Sequence, residues 1–228
     1  MTKGFSIIEV AIALSIILAG VFLWIQLRPE AELVNQTECS KVLKSPIDIS
    51  NIQYVTSPGS IIQGHFKTHS YINFKKPKAN ISSPFDGEVY DAVKYLQENK
   101  VQYTFMLRND CNLLVMFDHI SHPIEEIAEQ LKGKPQEDTR SQGNFKPFDV
   151  KQGDSLGYTD GNGVQKQFDF GVYDLDITND YTGTKYQDLV SQSEKYVYAT
   201  CPFDYLEESQ EYYGLISKGS PEYFCKLP

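Results

Sequence analysis

The stretch from Ile7 to Ile25 constrains this chain most: nineteen consecutive residues, apolar but for Glu9 and Ser15. At about 1.5 Å per residue a helix of that length covers the roughly 30 Å hydrocarbon core of a bilayer, so one crossing is expected. A carboxylate near mid-bilayer costs roughly 2.5–3.5 kcal/mol on insertion scales, so Glu9 calls for a partner or a place near the headgroups. Lys3 precedes the run and Arg28 follows it, and flanking charge therefore says little about orientation. No small-residue cleavage site follows Trp24, so the helix is expected to stay with the protein.

About 200 residues follow the span, enough for one domain with a core of its own. The 228-residue chain has a formal net charge of −9, which argues against a nucleic-acid partner and against electrostatic docking on anionic lipid. Four cysteines, Cys39, Cys111, Cys201 and Cys225, form no CxxC pair. In an extracytoplasmic domain they read as one or two disulfides. Cys201 with Cys225 would staple the tail and Cys39 with Cys111 would tie the stalk to the domain, but sequence leaves all three pairings open. Two sequons, at Asn35 and Asn80, are glycan acceptors only in a host with that machinery.

Arg28 to Asn51 reads as the end of the span and a stalk, punctuated by Pro29 and Pro46. From Ile52 the texture changes to short alternating runs, rich in the 15 Tyr and 13 Phe of the chain. Ile61–Phe66, Tyr71–Phe74, Gly87–Val93, Gln102–Leu107, Leu113–Phe117, Val150–Tyr158 and Gln167–Tyr173 predict strands of an antiparallel sheet. Pro123 to Leu131 has helical spacing, and Gly133 to Pro147 is polar without a period, hence a loop. In the tail, Glu194–Ala199 predicts an edge strand and Phe203–Ile216 a short helix with acids near its start. The expected fold is mainly β: a transmembrane helix, then an antiparallel sheet domain with one or two short helices.

Gly4-Phe5-Ser6-Ile7-Ile8-Glu9 resembles the prepilin signal of type IV pilins and pseudopilins. The resemblance implies a leader over residues 1–4 cut before Phe5 by a prepilin peptidase, and a freed amine on Phe5 that pairs with Glu9 of a neighbouring subunit. The helix-kinking proline usual in such spans is missing before Pro29.

A second resemblance spreads over residues 64–174. Ser83-Pro84-Phe85-Asp86-Gly87-Glu88-Val89, Leu114-Val115-Met116-Phe117-Asp118-His119-Ile120 and Val150-Lys151-Gln152-Gly153-Asp154-Ser155-Leu156-Gly157-Tyr158 follow the order of the LytM-like, M23 peptidase core. They look like its APxDGxV turn, its YxHL-type strand end and its VxxGDxxG hairpin. Active members hold Zn²⁺ through HxxxD and the second His of HxH, with two further histidines assisting water. Here HxxxD reads His69-Ser70-Tyr71-Ile72-Asn73 and HxH reads Gln167-Phe168-Asp169, while His119 remains from the assisting pair.

A catalytic zinc needs three imidazole, thiolate or carboxylate donors and an open position. The amides at Asn73 and Gln167 are poor replacements; His65 lies four residues before His69, and His69 with Asp169 are the positions that could touch a metal if any do. The resemblance therefore implies a degenerate domain over 52–176 behind a span at 5–28 and a stalk at 29–51, with an extension over 177–228. No cofactor is expected, zinc belonging only to the alternative. His65, His69, Asn73, His119, Gln167 and Asp169 would line a former active-site groove. Three readings follow: a single-pass extracytoplasmic protein that assembles with pilin-like subunits or binds peptidoglycan or another envelope glycan; a peptidoglycan-cutting zinc endopeptidase with atypical ligands; or an anchored carbohydrate-binding module.

Overall fold

The computed structural model describes residues 39–226 apart from 63, 140–142 and 162–164. The expected membrane span, with Gly4, Phe5 and Glu9, lies outside the described residues, and among those described no helix is long and apolar enough to cross a membrane. Contacts divide the chain after Cys39, and Ser40–Pro228 forms one compact unit.

Among the described residues there are twelve strands: β1 Ile52–Thr56, β2 Ile61–Ile62, β3 His65–Phe66, β4 Ser70–Phe74, β5 Ala79–Ser82, β6 Gly87–Gln97, β7 Lys100–Arg108, β8 Leu113–Ile120, β9 His122–Pro123, β10 Phe148–Val150, β11 Ser155–Thr159 and β12 Gln167–Asp174. Seven of them form one sheet in the order β1-β4-β12-β8-β7-β6-β10, while β5-β11-β9 form a smaller sheet and β2-β3 a hairpin. Every pairing between named strands is antiparallel, as the alternating aromatic runs predict. Helices α1 (Glu125–Gln130), α2 (Thr184–Val190) and α3 (Ser209–Gly214) are short.

Period-two alternation divides the large sheet into two faces. One face carries Ile72, Phe105, Val115, Phe117, Phe168 and Phe170 into the main core, where Ile81, Phe85 and Leu156 meet them. Phe117 is the hub, with ring centroids 5.5 Å from both Phe105 and Phe170. The other face has a smaller cluster, Met106, Met116, Tyr173 and Ala199, covered by Tyr196, Tyr198 and Phe224 of the tail. The central strands β4 and β12 are consequently buried along their whole length.

Two glycines of the quoted motifs are fixed by close backbone approach. A Cβ at Gly87 would stand 2.3 Å from the Arg108 carbonyl oxygen, and one at Gly157 2.3 Å from that of His122. Gly157 also has φ +130°, a region L side chains rarely adopt.

Several expectations are corrected. The Ile61–Phe66 run is two short strands folded on Gly64 (φ +81°) rather than one strand. The Val150–Tyr158 segment is no hairpin: its two halves, β10 and β11, join β6 of the large sheet and β5 of the small one. The Gly153 turn between them is held by Lys151 N on Asp154 Oδ2 at 2.8 Å. The stalk expected to Asn51 ends earlier, because Leu43, Ile47 and Asn51 are buried and Leu43 N donates to Tyr205 O at 2.7 Å.

In the tail, the Glu194–Ala199 edge strand is instead a 3-10 turn, Glu194–Tyr198, whose aromatic rings lie on the sheet face instead of extending its edge. The Phe203–Ile216 helix is broken into a 3-10 turn, Pro202–Tyr205, and α3, for Leu206 is extended and buried where it bridges Leu43. Helix α1 lies within the predicted Pro123–Leu131, whose first residue instead pairs with Gly157 in β9. Cys201 and Cys225 are joined, Cys39 and Cys111 are also disulfide-bonded, and no thiol is free.

Candidate functional site

The tail-covered face of the large sheet opens into a groove of about 660 Å³. Register places its floor: Asp169 pairs with Tyr71 on one side and with Asp118 on the other, so β4, β12 and β8 aim polar side chains at one spot. His69 enters from just before β4.

Strand β8 adds two polar residues rather than one. Between the pairs Tyr103↔Ile120 and Phe105↔Phe117, β7 supplies Thr104 alone while β8 supplies both Asp118 and His119. That is a β-bulge, and it turns two successive side chains to the same face. His119 takes φ +63° to do so, a conformation uncommon for a non-glycine residue and frequent at functional sites. The bulge is pinned by Asp118 Oδ1, which accepts from the His119 amide at 2.7 Å, from Tyr95 OH at 2.6 Å and from Thr104 Oγ1. Thr159 Oγ1 donates to the His119 carbonyl at 2.6 Å.

These bonds fix the imidazole. Burial, then the charge of Asp118, pushes the Tyr95 pKa far up, so the phenol keeps its proton and gives it to Asp118. Tyr95 oxygen also lies 2.9 Å from His119 Nδ1. With the phenol proton engaged, Nδ1–H must be the donor, and Nε2 is left to face the groove. His119 Nε2 is 3.5 Å from Asp169 Oδ2, and His69 Nε2 is 2.9 Å from the same oxygen.

Asp169 thus stands between two imidazoles and is 2 % exposed. Burial alone would raise its pKa, but the charges of His69, His119 and Lys67 outweigh that and hold the carboxyl below its usual range. The arrangement is not saturated. Asp169 Oδ1 has no hydrogen-bond partner, and His69 Nε2, though close, is not aligned to make a hydrogen bond; we read the 2.9 Å contact as an ion-pair approach. Buried polar groups left so call for an explanation.

Of the residues singled out in the sequence, the fold brings His69, His119 and Asp169 together, while His65 is an exposed groove residue outside the donor cluster. Asn73 and Gln167 are register partners on the same face, two residues further along their strands, and neither lines the groove. Sequence reasoning misses Asp118, Thr104 and Tyr95, and also Lys195 and Tyr196, which line the groove from the tail. The donors do fit a divalent cation: ligand atoms of Asp118, His119 and Asp169 lie within 4.8 Å of one another, His69 is adjacent, and imidazole with carboxylate is an ordinary zinc donor set.

No family model and no curated protein matches this chain. Solved structures do. It is similar to Helicobacter pylori Csd3, with 16% identity and a TM-score of 0.41 over 74% of this chain and 34% of that one. It is similar to a chain of the SpoIIQ–SpoIIIAH pore-forming complex, with 12% identity and a TM-score of 0.42 over 74% and 92%, and to lysostaphin, with 15% identity and a TM-score of 0.35 over 61% and 50%. The chain thus spans about a third of the length of Csd3. These likenesses transfer no substrate, partner or reaction, and the reading of the site rests on its own residues.

Proposed function

We propose that this protein is a membrane-anchored, extracytoplasmic binder whose degenerate M23-like groove holds a cell-envelope ligand without cutting it. The observation that carries this is the place of the two amides. At Asn73 and Gln167, where the resemblance implies a ligand carboxylate and an assisting imidazole, the chain has groups that neither hold zinc well nor accept a proton. Both share the donors' sheet face but lie beyond the groove lining. The remaining groups suit recognition: Asp169 Oδ1 is an unused acceptor, and His69 Nε2 makes no hydrogen bond. The apolar run with Glu9 supports the anchor, and Gly4-Phe5 supports processing and assembly with pilin-like subunits.

A second reading has an observation of its own in the same unsatisfied atoms. His119 and Asp169, with Asp118 or the adjacent His69 as the third donor, would hold a divalent ion, which when bound supplies Lewis acidity toward a carbonyl or a water. Where His69 completes the set, both imidazoles of the donor cluster serve as ligands and neither is left to carry a proton, so that set favours holding an ion over hydrolysis.

The test uses full-length purified protein and isolated peptidoglycan sacculi. It is expected to co-sediment with them and to release no peptide, and His69→Ala or Asp169→Asn should weaken retention roughly ten-fold, about 1.4 kcal/mol. Release of peptides that depends on added zinc and on His69 would replace the binding reading with the hydrolytic one.

A further inference from the structure

The charge balance of the groove is uneven. Its three acids are engaged: Asp118 accepts three hydrogen bonds, Asp169 lies against two imidazoles and Asp91 has a partner of its own. Its lysines are not. Lys195, on the tail's 3-10 turn, and Lys67, in the link between β3 and β4, both line the groove, and among the described residues neither forms a salt bridge.

Lys195 is held by rings instead, with Nζ 5.3 Å from the Tyr196 centroid and 5.9 Å from that of Tyr173. Stacking of this kind fixes an ammonium without neutralising it. Burial, the largest influence, pulls the Lys195 pKa below its ordinary value, while the charges of Asp91 and Asp118, both in the same groove lining, act the other way. An ammonium kept partly dry and without a salt-bridge partner gains from an incoming anion.

We propose that Lys195, assisted by Lys67, forms a carboxylate-binding subsite through which the C-terminal extension sets what this groove accepts, the ligand being a short peptide with a free carboxylate. This rests on the binding-groove reading above. A peptide fits the lining, where Met106 and Met116 give an adaptable apolar surface beside the polar floor. A monoanion fits better than a phosphate dianion, which the neighbouring Asp118 and Asp169 would repel.

The experiment titrates isotope-labelled full-length protein with N-acetyl-trialanine carrying a free C-terminal carboxylate and, separately, with its C-terminal amide, followed by NMR. The acid is expected to bind wild-type protein about ten-fold more tightly than the amide. Lys195→Met should abolish that preference, Lys67→Met should reduce it, and Lys195→Arg, which keeps charge and stem, should retain it and so separate lost recognition from lost folding. Equal binding of acid and amide to wild-type protein would overturn the subsite and leave the groove reading standing. So would failure of both peptides to bind protein that still sediments with sacculi through Asp169. Loss of sacculus binding by wild-type protein would remove the groove reading itself.

Discussion

Strand β12 carries two buried carboxylates, Asp169 and Asp174, and the chain treats them oppositely. Asp174, 1 % exposed, is saturated: Lys41 Nζ donates to it at 2.6 Å, Tyr205 OH at 2.8 Å and the Asp176 amide at 3.0 Å. It ties the start of the compact unit and the tail's Tyr205 to one strand end. Asp169, equally buried, has an oxygen with no partner and two imidazoles that approach without saturating it. A fully bonded buried carboxylate rigidifies a fold, whereas a half-bonded one forgoes stability for something the folded chain alone does not supply.

The comparison breaks most sharply in a pair of substitutions. Asp174→Ala takes from the Tyr205 hydroxyl its carboxylate acceptor and from the Lys41 ammonium one of its two carboxylates, Asp176 remaining, and losing hydrogen bonds to a buried charged group costs about 1.5–3 kcal/mol. Asp169→Asn keeps shape and takes away an Oδ1 that no hydrogen bond holds, so stability at pH 8 should change by no more than about 1 kcal/mol. Urea unfolding of both variants measures the difference. Comparable losses would mean that Asp169 is as structural as Asp174.

Acid sharpens the same contrast with a smaller expected effect. The folded-state pKa of Asp169 is depressed, so its ionised form favours the fold above the unfolded carboxyl value, and that contribution is lost as pH falls through the lower folded value. Wild-type stability should therefore fall in the acid range below about pH 3.9, and Asp169→Asn should flatten that part of the profile. A profile of unchanged slope in the variant would show that the imidazoles do not hold the carboxyl low.

How much of this was legible in the sequence depended on periodicity. The cores of β4, β6, β7, β8 and β12 follow from period-two alternation, and Gly87 and Gly157 sit where motif spacing puts them because backbone carbonyls leave no room for a Cβ. His69, His119 and Asp169 were legible only through the resemblance to the M23 core, whose motif positions they occupy. Asp118 was not, because strict alternation sends neighbours to opposite faces, and only the bulge at His119 brings both inward; no residue in Phe117-Asp118-His119-Ile120 announces a bulge in advance. Lys195 was missed for another reason. Lys195-Tyr196-Val197-Tyr198 alternates as a strand would, but its rings find Met106, Met116 and Tyr173 to cover, and that burial overrides local propensity. Helix α2 did carry a signal, Tyr186 with Leu189 and Val190 at helical spacing after Gly183, which the polar surroundings masked.

The smallest effects separate the two sites at the level of single hydroxyls. Tyr205→Phe deletes one donor to Asp174 and should cost about 1 kcal/mol, the net worth of a hydrogen bond to a buried acceptor. Burial, followed by that bond, pushes the Tyr205 pKa up to about 12, so the cost should be seen in full at neutral pH and shrink as the wild-type phenol ionises. Tyr95→Phe leaves Asp118 two of its donors, Thr104 and the His119 amide, so the stability loss should be of the same order or smaller. Its larger consequence falls on His119, whose Nδ1–H loses the oxygen that fixes its tautomer. Nitrogen chemical shifts of the His119 ring should show a protonated Nδ1 in the wild type and a mixture of tautomers in the variant. An unchanged ring spectrum would mean that the backbone strain of the bulge, and not Tyr95, decides which nitrogen of His119 faces Asp169.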